Sequence, residues 1–224
     1  MRQLLKTVLA LGLPVVLVTM VLVTVVLAQQ RGGGMFGGGG MLINNASVQK
    51  EIKMTDDQVA KVKEMNEGLK DKRPQFTKDG NREELAEKMT AYNKEVEKGI
   101  AGILKPEQMK RFKQIQRQQM YVGAFRDPEV VAALKLTDDQ KEQLKTLGED
   151  VGKDLRELRQ GAQKGDFAEI GKKTAALNKE AMQKASAMLT AEQKNAWKEI
   201  VGEPFEMKME FGNFGKGERR KKNP

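Results

Sequence analysis

The chain has no cysteine and no histidine among its 224 residues, and aromatic side chains make up only 5% of it. Without thiols there is no disulfide framework and no thiolate nucleophile. Without imidazoles, Ser-His-Asp and Cys-His machinery go too, along with ordinary zinc and haem sites. Few aromatics beside 32% charged residues suit helices with wide solvated faces better than a β-sandwich. Carboxylates and amines are left, and they show no convergent spacing. No catalytic, cofactor-binding or metal-ligating residue is therefore assigned, and a non-enzymatic protein is expected.

The first 28 residues read as a targeting segment. Arg2 and Lys6 precede an uncharged run from Thr7 to Gln30, rich in Leu and Val, and Val26-Leu27-Ala28 offers small or short side chains at a cleavage site. That layout fits a cleaved signal peptide, and the run is also long enough for a retained inner-membrane anchor over residues 7–28. Either way the remainder is expected outside the cytoplasm, in the periplasm or secreted. Residues 29–43 contain seven glycines between Gly32 and Gly40 and are read as a flexible linker. No Gly-Lys-Ser/Thr follows, so a phosphate loop does not fit.

The formal charge of +9 divides into +2 in the leader, +4 in Lys216–Lys222 and +3 for everything between. The body is thus close to neutral. The basic tail can touch an anionic surface, while export argues against nucleic acid.

An internal repeat organises the body. Val48-Gln-Lys-Glu-Ile-Lys-Met-Thr-Asp-Asp-Gln58 aligns with Val130-Val-Ala-Ala-Leu-Lys-Leu-Thr-Asp-Asp-Gln140 at an offset of 82 residues. Ile103-Leu-Lys-Pro-Glu-Gln108 aligns with Met188-Leu-Thr-Ala-Glu-Gln193 at an offset of 85, and Phe112 with Trp197. Two copies of one module are expected, over residues 44–126 and 127–203.

The shared Leu-Thr-x-x-Gln element is a helix start. Thr55, Thr137 and Thr190 can accept from the N–H three residues on, and Gln58, Gln140 and Gln193 can reach back to the cap residue's own N–H. Asp56-Asp57 and Asp138-Asp139 then favour the positive end of the helix dipole. Consecutive helical residues point about 100° apart, so these aspartates do not form an acid/base pair or a metal site. Asn81-Arg-Glu-Glu84 and Asp166-Phe-Ala-Glu169 read as further caps. Apolar steps of three and four run through Val62, Met65 and Leu69, and again through Leu144, Leu147, Val151 and Leu155. The predicted fold is all-α: long amphipathic antiparallel hairpins in two tandem modules.

One stretch breaks this period. Phe205-Glu-Met-Lys-Met-Glu-Phe211 alternates apolar and charged residues, which is strand spacing. It predicts either an extended arm on the helices or a short two-stranded patch with Met120-Tyr121-Val122. Residues 204–224 then comprise an apolar arm and a basic tail, and Phe205, Met207, Met209 and Phe211 are the candidates for client contact.

The Thr-x-x-Gln elements at Met54–Gln58, Leu136–Gln140 and Leu189–Gln193, with Leu104–Gln108 as a degenerate fourth, resemble the Spy/CpxP family of bacterial periplasmic proteins. The resemblance spans most of residues 44–203. It implies a thin cradle of long helices, often dimeric, acting as a chaperone without ATP or in envelope-stress signalling. Unfolded or envelope proteins would be the partners and a homodimer is allowed. The chain departs from the family pattern by carrying two copies in tandem, and the lack of His and Cys does not fit a metal-sensing member. The reading from another class is a structural or signalling module that binds one envelope partner, a sensor domain or the cell wall.

Overall fold

The computed structural model describes residues 39–75, 81–161 and 167–208, and all regular structure among them is helical. In chain order the helices are α1 (Gly39–Ile43), α2 (Ala46–Glu51), α3 (Asp56–Leu69), α4 (Arg82–Ile103), α5 (Pro106–Met120), α6 (Pro128–Leu134), α7 (Asp138–Gln160), α8 (Phe167–Ala187) and α9 (Ala191–Val201). A 3-10 turn, Tyr121–Arg126, joins α5 to α6. The order of short helix, long hairpin and closing helix in α2–α5 recurs in α6–α9. None of the described helices is long and apolar enough to cross a membrane. The leader falls outside the described residues.

Local sequence starts these helices where the capping chemistry predicts. Thr55, Thr137 and Thr190 accept from the N–H groups of Gln58, Gln140 and Gln193 at 3.3, 3.2 and 3.2 Å. The glutamine side chains accept in return from the three threonine N–H groups. At α5 only the returning half is made: the Lys105 N–H donates to Gln108 Oε1 at 2.9 Å, and a lysine side chain has no lone pair to offer. Pro106 at the first helical position compensates, since it has no N–H to satisfy. Asn45 and Asp127 cap α2 and α6 at matching positions of the repeat. Asn81 caps α4 through the Glu83 N–H, while Glu84 turns to Lys88 at 2.7 Å instead of closing a box. Asp166 lies outside the described residues.

Each module has its own small core. In the first, Val48, Val62, Ile100 and Ile115 are fully enclosed with Phe112 among them. In the second, Val130, Leu134, Leu144 and Ala185 play that part, with Phe125 stacked on Trp197 at 4.4 Å between centroids. Enclosing one such aliphatic side chain is worth about 1.5–3 kcal/mol. Helix α5 packs along α9, and the 3-10 turn touches α5, α6, α7 and α8, so the two modules meet along one seam.

Two expectations are corrected. Residues 39–43, assigned to the linker, form α1 against α4 and α5, with Leu42 and Ile43 buried. The apolar run Met41-Leu42-Ile43 has enough surface to bury, and Gly39 permits close contact, since a Cβ there would stand 3.3 Å from Ile100 Cδ1. The 3-10 turn stands before α6 as α1 stands before α2. The two-stranded patch does not form either. Val122, Ala124 and Phe125 are buried in the 3-10 turn, and no strand occurs among the described residues.

Candidate functional site

The motif glutamines do more than cap. Gln58 Nε2 donates to Gln108 Oε1 at 2.8 Å while Gln108 Nε2 donates back to Gln58 Oε1 at 3.0 Å, joining the starts of α3 and α5. Gln58 also donates to the Ile103 carbonyl at 2.8 Å, and Gln108 to those of Ile52 and Lys53 at 3.1 and 2.9 Å. The second module repeats this at the starts of α7 and α9. Gln140 and Gln193 exchange bonds of 2.8 and 2.9 Å, and reach the Met188 and Leu134 carbonyls. Each amide thus satisfies its oxygen and its nitrogen at once, which a carboxylate could not do. Gln58 and Gln108 are only 8% and 7% exposed, so an unmatched oxygen there would carry a full desolvation cost.

The pairing converts two local helix starts into one closed joint per module. Sequence reasoning found Gln58, Gln140 and Gln193 as capping residues but did not rank Gln108 with them. It also missed the cross-helix exchange. The signal lay in residue type: a capping box accepts Glu as readily as Gln, yet all four positions carry Gln.

Beyond these joints the hairpins thin to two helices. On α7, Leu144 is buried, but Leu147, Val151, Leu155 and Leu158 further along are only half-buried. Facing them on α8, Ile170, Thr174 and Leu177 are half-buried as well. The Leu85, Met89 and Tyr92 stripe of α4 has the same character. Exposed ion pairs flank these seams: Glu84–Lys88, Lys153–Glu157, Glu169–Lys173 and Glu180–Lys184. Hydrogen bonds from the lysines hold the carboxyls of Glu84, Glu169 and Glu180 below the usual range. The result is a weakly apolar strip inside a border of both charge signs.

A denser charge cluster lies at the seam between modules. Arg117 reaches both Asp127 and Glu129, and Lys113 donates to Glu129 at 2.6 Å. The Lys113 hydrogen bond, with Arg117 adding its charge, lowers the Glu129 pKa. Partial desolvation raises that of Glu97 nearby. The surface also carries two open hollows. One, of about 350 Å³, is lined by Glu51, Lys53, Lys105, Gln108 and Arg111. The other, of about 180 Å³, is lined by Arg117, Gln118, Tyr121, Met182, Trp197 and Val201. Among the described residues no group of three or more carboxylates gathers as a metal site.

The proposed client-contact residues divide. Phe205 and Met207 are half-buried against the first core, as an extended arm lying on the helices would place them. Met209 and Phe211 lie outside the described residues, as does the basic tail.

Comparisons with protein-family models, with curated proteins and with solved structures give no match.

Proposed function

We propose that the chain is an exported, non-enzymatic helical binding protein that holds unfolded or partly folded envelope proteins without ATP. The observation that carries this reading is the half-exposed apolar seam of α7 and α8, bordered by exposed ion pairs of both signs. Such a strip offers weak, adaptable contacts along its length and no deep pocket that would select one ligand. The leader supports export, and the four paired Thr-x-x-Gln or Pro-x-Gln elements support the likeness to periplasmic helical chaperones. The basic segment Lys216–Lys222 adds an attachment to anionic surfaces.

A second reading, a module recognising one envelope partner, draws on the seam hollow beside Tyr121. That ring is 39% exposed on a backbone at φ 49°, a costly conformation for a non-glycine residue.

The test is suppression of aggregation. The chain lacking residues 1–28 is expected to reduce light scattering of a chemically unfolded client at near-equal molar ratio, with no nucleotide. Raising salt well above 0.15 M, where the Debye length is about 8 Å, is expected to weaken the effect. Unchanged scattering at several-fold excess rejects the holdase, and crosslinking in intact envelopes to a single dominant protein then favours the second reading.

A further inference from the structure

After α9 the chain turns sharply and crosses from the second module onto the first. Gly202 makes the turn at φ 63° and ψ −160°, and a Cβ there would sit 2.4 Å from the Gln114 side chain. The backbone conformation requires glycine, whereas the Gln114 amide is the end of a flexible side chain and could move aside. Arg111 and Gln118 on α5 then hold the Glu203 carbonyl at 2.9 and 2.8 Å. From there Phe205 and Met207 turn inward against the first core, while Glu206 and Lys208 stay exposed. This is the alternation of a strand without a neighbouring strand.

What holds this segment is unusual. The Phe205 N–H donates to Gln118 Oε1 at 2.8 Å, the Lys208 N–H to Ser47 Oγ at 3.2 Å, and Asn45 Nδ2 to the Lys208 carbonyl at 2.9 Å. All three bonds join side chains of the first module to the backbone of the segment. They read an extended chain and are blind to its side chains. Specificity comes only from the two positions that accept apolar groups.

We propose that this groove on the first module, framed by Asn45, Ser47 and Gln118, is a receptor for extended polypeptide segments carrying apolar residues at alternate positions. The chain's own residues 205–208 occupy it as a displaceable strap. The inference rests on the binding-protein reading above and gives it a site. Backbone-directed bonds plus alternating pockets are the general means by which extended peptides are captured. Two half-buried side chains make a weak hold, sustained because the tether keeps the strap at an effective concentration on the order of millimolar. A client segment with larger apolar residues can replace it, while Gly202 and Glu203 stay anchored on α5 and α9 remains intact.

The experiment uses the chain lacking residues 1–28 and a fluorescent peptide with the sequence of residues 205–211. A Phe205→Ser/Met207→Ser variant loosens the strap and vacates the groove. It is expected to bind the peptide at least tenfold tighter than the parent, measured by anisotropy. A control peptide with serine at its first and third positions is expected not to bind. Equal affinity of parent and variant for the peptide, with helical circular dichroism intact, overturns the proposal. If that variant does not fold, Gly202→Ala serves instead, because it keeps every strap residue and misdirects the segment. It is expected to bind peptide more tightly and to be cut by trypsin after Lys208 faster than the parent, and unchanged affinity again overturns the proposal. A Gly202→Ala chain that runs as a dimer would assign the groove to a second copy's strap, and the proposal fails. A variant that binds peptide yet leaves client scattering unchanged keeps the groove and rejects the chaperone function. One that suppresses scattering without binding peptide does the reverse.

Discussion

Lys53 and Lys135 hold the same left-handed backbone position in the two modules, at φ 53° and 50°. Each ends a short helix in the same way: the Met54 N–H donates back to the Gln49 carbonyl at 2.9 Å, and the Leu136 N–H to the Val131 carbonyl at 3.3 Å. These are Schellman closures with lysine where glycine is usual. The closure matters because it aims the carbonyls of Ile52 and Lys53, and of Leu134, at the paired glutamines.

Left-handed backbone costs a lysine about 1–2 kcal/mol, and glycine removes most of that while adding freedom to the unfolded chain. Lys135→Gly is therefore expected to stabilise the second module by about 0.5–1 kcal/mol. A higher urea midpoint at unchanged slope is the readout. No change would show that the turn is not populated in solution.

Gln140→Glu separates capping from pairing. Glutamate can still accept from the Thr137 N–H, but its charge would face the Met188 carbonyl and Gln193 Oε1 in place of a donor. Taking the donor from the Met188 carbonyl and setting a charge against Gln193 Oε1, which keeps the Thr190 N–H, is expected to cost about 1–3 kcal/mol at neutral pH. Part of the loss is expected to return below about pH 4, where a protonated carboxyl again carries a hydrogen to donate. A midpoint equal to that of the parent at pH 7 would reduce Gln140 to a capping residue.

Thr137→Ala removes one cap and leaves the glutamine exchange in place. The expected loss is about 0.5–2 kcal/mol, seen as a lower denaturation midpoint with the slope unchanged. An identical midpoint would mean that the Thr137 bond contributes nothing.

Glu129 supplies an acid-sensitive contact. Its pKa lies below the ordinary 4.5, first through the Lys113 hydrogen bond and then through the charges of Lys113 and Arg117. The folded state therefore binds fewer protons here than the unfolded state does. Its stabilisation is complete above the unfolded carboxyl pKa and is lost as pH falls through the folded one. The stability gap between parent and Glu129→Gln is expected to be widest near about pH 7 and to close on acidification below about pH 4.5. Thermal melts across that range measure it, and a gap independent of pH would contradict the assignment.

The parts of the fold that were legible in the sequence are the local ones. Thr55, Thr137 and Thr190 start helices because a cap and its partner lie three residues apart, within reach of a sequence pattern. The hairpin stripes follow from apolar spacing for the same reason. Long-range choices were not legible. Composition made residues 29–43 look uniformly glycine-rich and hid the three apolar residues that seat α1. Strand spacing at Phe205–Phe211 was real as alternation through Lys208, but side chains rather than another backbone satisfy its polar groups. The exchange between Gln58 and Gln108 joins motifs 50 residues apart, and only the insistence on Gln over Glu hinted at it.

The first core draws its rim from both extremes of the described chain, Leu42 on one side and Phe205 and Met207 on the other. A polypeptide that leaves the ribosome amino end first can assemble α1–α5 early, yet that unit stays open at one edge until α9 has passed. The four residues of the strap therefore close that edge last. A chain halted anywhere before Phe205 presents a bare apolar edge on its first module, whereas one that continues through Lys208 covers that edge with its own residues.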